Sequence, residues 1–212
     1  MGLRWPGTVL ERFRRKRLEA FGASDWGSNP HVPLRLRPSP DPEKPSTIAD
    51  ILRRGALVKW VTREKAKVDR IACPWLISHF VDPKAEFLYV PTDQVKEVAK
   101  REGAIPFDAA GIELTHYKEN GEERVSFDAI IRKYELKDRA LLDLAEIVRT
   151  ADAGKVPHPR PEGAGLEAAA LGFRQVAKND HDNIRLQFPL YDALYAYCKW
   201  RVEQGGRLEH AV

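Results

Sequence analysis

The stretch ALVKWVTREKAKVDRIACPWLISHFVDPKAEFLYVP, residues 56–91, decides the fold. Its first segment, Ala56 to Thr62, alternates and carries the β-favouring Val58, Trp60 and Val61, which predicts a strand. Its last, Glu86 to Val90, predicts a second strand closed by Pro91. Between them, Asp69 to Phe80 is long enough for a helix, with Pro74 tolerated only near the first turn. Strand, helix and strand in that order predict a βαβ unit.

Outward from this core, Thr92 caps a predicted helix that runs to about Arg101 and is ended by Gly103. Asn120-Gly121 lies between Glu113–Tyr117 and Arg124–Phe127, a hairpin signal. Ser126 caps a helix through Tyr134. Asp138 starts another, whose Leu141, Leu144, Ala145 and Val148 make one apolar face before Gly154 stops it. Two more helices are expected, at about 165–177 and 180–204, the second broken near Pro189. No internal repeat is present. The class is α/β (or α+β) and helix-rich: a small sheet with a βαβ unit and a hairpin, then a helical second half.

Charge divides the chain. Residues 1–55 hold 11 Lys/Arg against 6 Asp/Glu, and the remainder holds 24 against 25, so the net charge of +4 belongs to the N-terminal part. That part also carries seven of the 15 prolines. It reads as a basic, proline-rich appendage: a short helix at 8–20 bearing Arg12, Arg14, Arg15, Lys16 and Arg17, a linker at 27–45, and a second helix from Ser46 or Thr47 to Gly55. The self-contained domain is residues 56–212. Its near-neutral charge excludes a general nucleic-acid-binding surface, so any nucleic acid would bind through the appendage. No apolar run approaches the ~20 residues of a membrane helix, and no secretory signal is expected at the basic start. Two cysteines without a C-x-x-C pair exclude a disulfide scaffold and fit a reducing cytoplasm.

No G-x-G-x-x-G, Walker A, H-E-x-x-H or G-x-S-x-G is present, so no nucleotide cofactor is indicated. Three constellations remain. In the first, Pro74 at a helix start sets Cys73 near the N-cap, where the dipole favours a thiolate, while Arg63 and Arg70 offer guanidinium forks to an oxyanion. The bland alternative makes Cys73 a small buried hydrophobe and Asp69–Arg70 a structural ion pair. In the second, Glu113 and His116 on a hairpin strand, joined across a local bulge, meet Asp152 from a helix end. A His with carboxylates suits a divalent first-row metal: zinc, iron or manganese. Asp128 and Asp180 are further oxygen ligands, or simply a dipole complement and an N-cap. The third is Asp192 on an otherwise apolar helix, where a buried carboxylate needs a partner.

Taken together, VDRIACPWLI (68–77), Phe80, Asp82-Pro83, AEFLYVP (85–91), GAIPFD (103–108), Glu113 with His116, SFD (126–128), LAEIVRTAD (144–152) and YDALYAYC (191–198) resemble the C-terminal domain of the chromate resistance protein ChrB family. The likeness covers about residues 57–200. It implies a bacterial protein associated with chromate resistance, whose longer relatives are regulators of an efflux operon and carry a large N-terminal domain. The basic appendage stands in that domain's place here. In the family pattern a Cys often stands at Val125, and in some relatives a His at Arg149. The resulting expectation is a cytoplasmic domain that senses or handles chromate, with Arg63, Arg70 and Cys73 at the oxyanion and Glu113, His116 and Asp152 at a metal. A metal-dependent enzyme on the same residues, or a DNA-binding regulator using Arg12–Arg17, is the alternative. The sequence does not set an oligomeric state.

Overall fold

The computed structural model describes residues 57–209. The expected appendage, with its helix at 8–20, linker at 27–45 and helix at 46–55, lies outside the described residues. The elements are β1 (Lys59–Arg63), α1 (Asp69–Leu76), a π-helical turn (Ile77–Val81), β2 (Glu86–Val90), a 3₁₀ turn (Thr92–Gln94), α2 (Val95–Glu102) and β3 (Ile105–Pro106). There follow β4 (Tyr117–Glu119), β5 (Glu122–Arg124), α3 (Ser126–Lys133), α4 (Arg139–Ala153), α5 (Pro161–Val176) and α6 (Asp180–Glu209). No helix among them is long and apolar enough to cross a membrane.

The βαβ unit is present. β1 pairs parallel with β2 (Lys59 opposite Glu86, Arg63 opposite Val90) and with β3 (Trp60 opposite Ile105), giving the order β2-β1-β3. Alternation along β1 splits the core in two. Trp60 and Phe87 join the main core with Trp75, Leu76, Phe127, Leu141 and Leu144. Val61, with Leu88 and Val90, packs instead on Val95, Val98 and Ala104 of the α2 region. Helices thus cover both faces, as a parallel sheet requires. Gly103 ends α2 at φ 62°, a left-handed cap that a side chain would disfavour.

Three expectations change. Pro74 sits inside α1, not at its start, and Asp69 is the first helical residue. Pro74 cannot donate to the Arg70 carbonyl four residues before it, and the Tyr89 hydroxyl donates to that carbonyl instead, at 2.8 Å. Instead of ending at Phe80, the helix passes into the π turn, whose Asp82 N–H donates to Ile77 O (2.7 Å). Finally, α6 runs through Pro189 unbroken, held by buried Asn183, Gln187, Tyr191 and Cys198 on one face. Asn120-Gly121 does make the hairpin turn, both residues at positive φ (52° and 82°), and Asp138 does cap α4, accepting from Leu141 N–H at 2.8 Å.

Candidate metal centre at the strand ends

The parallel strands end together at Arg63, Val90 and Pro106, and the chain leaves β1 toward β2 on one side while β3 lies on the other. Such a point, where connections diverge beyond the carboxyl ends of strands, is where open α/β sheets bind ligands. Three carboxylates and one imidazole meet there.

Asp69 opens α1 and is buried. Its Oδ2 accepts Ser126 N–H (2.7 Å) and its Oδ1 accepts Phe127 N–H (3.2 Å), so it caps the first turn of α3 from across the core. Asp152 comes from the last turn of α4, and its Oδ1 accepts the Asp69 N–H (3.3 Å). Asp108 follows β3 at φ 48°, a left-handed conformation that aspartate tolerates better than most residues. His116 stands in the segment just before β4. Its Nε2 is 3.3 Å from Asp152 Oδ2, 3.5 Å from Asp69 Oδ2 and 3.6 Å from Asp108 Oδ1, while Nδ1 lies 3.6 Å from Glu123 Oε1.

One ligand atom each from Asp69, His116 and Asp152 fall within 4.8 Å of one another. Donors about 2.1 Å from one ion lie about 3.0–3.4 Å apart in octahedral or tetrahedral arrangement, close to the His116–carboxylate separations here. Each carboxylate oxygen has more than one lone pair, so the backbone bonds to Asp69 and Asp152 leave acceptor capacity for a cation.

The electrostatics show the strain of the grouping. Burial, then the neighbouring Asp152 and Asp108, raise the Asp69 carboxyl to about 6, against the opposing pull of His116. Burial also pushes Asp152 upward, but the bond to His116 and the Arg70 charge outweigh it, and its net shift is downward. His116 is raised to about 11 by its bonds to Asp152 and Asp69, which outweigh its partial burial. Alongside Arg63 and Arg70 on Asp108, the imidazolium completes the neutralisation of the acids.

The expected residues are only partly brought together. His116 and Asp152 meet, but the third member is Asp69. Glu113 is exposed and binds Lys133 Nζ at 2.6 Å, and neither it nor His116 is on a hairpin strand, since β4 begins at Tyr117. Arg63 and Arg70 do converge, on Asp108: Arg63 Nη2 donates to Oδ2 at 2.8 Å, Arg70 Nη1 at 3.0 Å, and Arg63 Nε donates to the Asp108 carbonyl. Cys73, one turn inside α1, is fully buried. Its thiol donates toward Asp69 Oδ1 (3.5 Å), and burial followed by the acids around it pushes its pKa well up. The expected N-cap thiolate is therefore corrected to a small buried thiol. Asp180 caps the β1–α1 loop rather than the start of its own helix, accepting Lys65 N–H (2.9 Å) and Ala66 N–H (2.7 Å). Asp128 is held by Nε and Nη2 of Arg149 (3.0 and 2.8 Å) and accepts Val125 N–H (3.0 Å), so it is committed to structural partners. Asp192 is largely exposed and accepts the Trp75 indole N–H (2.8 Å).

Sequence reasoning missed Asp69 and Asp108 as parts of the site. Each is an acid set in an apolar run, VDRIA and IPFDAA, and that was the available signal: a carboxylate flanked by core residues must find a partner.

An α/β domain with a histidine ringed by carboxylates at its sheet's switch point is the class that fold and site define. The chain belongs to the family of ChrB C-terminal domains, which matches residues 60–198. It is 33% identical over 140 residues to Protein ChrB of Cupriavidus metallidurans, a stretch taking in 66% of this chain and 40% of that protein. The chain therefore spans less than half the length of that relative. No solved structure matches.

Proposed function

We propose that this ChrB-type domain serves chromate resistance and does so by binding a divalent first-row cation through Asp69, His116 and Asp152. Family membership supports the association with chromate resistance. One observation carries the cation reading: a single imidazole nitrogen lies within 3.6 Å of three carboxylates drawn from three separate segments. A mixed nitrogen and oxygen set of this kind suits zinc, iron or manganese. The test is metal analysis of untagged protein, followed by calorimetric titration of metal-free protein with zinc and manganese. One ion per chain is expected. H116A and D152N should each weaken binding at least tenfold, and E113Q should leave it unchanged. A wild-type protein that takes up neither ion defeats the reading.

A second reading has chromate bound directly by Arg63 and Arg70. What favours it is the Arg70 Nε–H, buried without an acceptor beside two guanidinium groups that already converge on one point. Asp108 occupies that point, so chromate would have to share or displace it. R70A should weaken chromate binding without preventing folding, and equal affinity removes Arg70 from the site. A metal-dependent enzyme is the cation site with turnover added. The regulator reading rests on Arg12–Arg17, which lie outside the described residues.

A further inference from the structure

Asp108 belongs to two groups at once. Its Oδ1 accepts the Ser126 hydroxyl (2.9 Å) and faces His116 Nε2 (3.6 Å), on the cation side. Its Oδ2 neutralises Arg63 and Arg70 (2.8 and 3.0 Å), on the arginine side. The carboxylate is only 3% exposed, so water cannot take over either duty. From this geometry we infer that a divalent cation and a tetrahedral divalent oxyanion bind this domain as coupled ligands, with Asp108 as the shared element. The inference rests on the cation reading above.

The physical argument is one of charge held in common. While Asp108 faces no metal ion, most of its charge is available to the two guanidinium groups, and an incoming oxyanion competes with it. A cation seated beside His116 draws on the same carboxylate at low dielectric. The arginine pair is then under-neutralised, and its donors, among them the unpartnered Arg70 Nε–H, favour an external anion. The oxyanion in turn releases Asp108 toward the cation. Coupling of this kind is reciprocal by thermodynamic necessity: each ligand must strengthen the other by the same factor.

The probes are manganese(II) and sulfate, titrated calorimetrically into full-length metal-free protein at constant ionic strength, with chloride replacing sulfate in the control so that general screening is matched. Sulfate should tighten manganese binding by about fivefold or more, and manganese should tighten sulfate binding equally. In D108N, whose folding is checked by a cooperative thermal transition, the sulfate effect should vanish. Manganese binding that is indifferent to sulfate in the wild type overturns the coupling and leaves the cation site standing. Absence of manganese binding removes both. If D108N does not fold, whether sulfate tightens manganese binding in the wild type still decides the coupling.

Discussion

Two charged clusters in this domain differ in one respect. Between α4, α5 and α6, Asp143 and Glu162 face Arg160 and Arg201: Arg160 Nη1 donates to Asp143 Oδ1 (2.6 Å) and Arg201 Nη1 to Glu162 Oε1 (3.2 Å). Two acids meet two arginines, and the Tyr197 hydroxyl adds a bond to Glu162 (2.7 Å). At the strand ends, Asp69, Asp108 and Asp152 face only Arg63 and Arg70, with His116 left to complete the balance. The helical cluster is neutral with permanently charged groups. The strand-end cluster is neutral only while His116 keeps its proton. A fixed pair builds a joint, whereas a balance that depends on one proton can be changed by what approaches it.

The sharpest way to break the comparison is to remove one acid from the strand end. D69A takes away the cap of α3 and leaves His116 with fewer acidic partners. It should cost about 3–5 kcal/mol by urea unfolding, the range for breaking a buried charged network. A cost below about 1 kcal/mol would make Asp69 a bystander.

Next in size is the dependence on pH. His116 is raised from about 6.5 to about 11, so its contribution to metal-free protein is full below the unfolded value and declines as pH rises toward 11. Asp69, raised to about 6, has the same sign: native protein gains stability relative to unfolded chain as pH falls from 6 toward 3.8. Chelator-treated protein should therefore melt at a lower temperature at pH 9 than at pH 6.5, by several degrees after discounting for His116's partial exposure. A divalent cation should restore most of the loss at pH 9, since it needs the imidazole deprotonated. The helical cluster behaves oppositely. Glu162 is lowered to about 2, with the Tyr197, Arg160 and backbone bonds outweighing burial, so its contribution is full above about 4.5 and is lost only as pH falls through 2. Equal melting temperatures at pH 6.5 and 9 would contradict the proton-dependent balance.

The smallest effect belongs to the helical cluster's rim. R201A should cost about 0.2–1 kcal/mol, because that side chain is 39% exposed and Arg160 still serves both acids. It should not alter metal uptake. A changed metal affinity would show that the two clusters are linked.

Local signals were readable in the sequence. The βαβ order follows from residues 56–91, the Asn120-Gly121 turn from its need for positive φ, and the α4 cap from Asp138. Pro74 misleads because a proline's usual place is a helix start, whereas here it stands inside α1, which carries Cys73 into the core. Pro189 misled for the opposite reason: tertiary packing along Asn183, Gln187 and Tyr191 overrides a local breaker. In the site, Glu113 is near His116 in sequence but turns to Lys133 in the fold. Asp69 and Asp108 carry no such local cue, because their neighbours come from distant segments, as the bond from Ser126 N–H to Asp69 shows. Spacing reports what shares a helix or strand. It does not report which loops a sheet's open edge gathers.

The strapping of the β1–α1 loop by α6 has a consequence for the order of assembly. Asp180 holds the Lys65 and Ala66 amides, the Asn183 side-chain amide donates to the Ala66 carbonyl, and the Tyr191 hydroxyl donates to the Val68 carbonyl. All four bonds span more than a hundred residues, the costliest kind of contact to close. During synthesis, Arg63, Asp69 and Arg70 emerge early, yet the turn that aims them has no partner until α6 has left the ribosome. The strand-end cluster of this domain is thus finished last, and a ribosome stalled before residue 180 would carry a chain that has every charged residue of the cluster but not the geometry that gathers them.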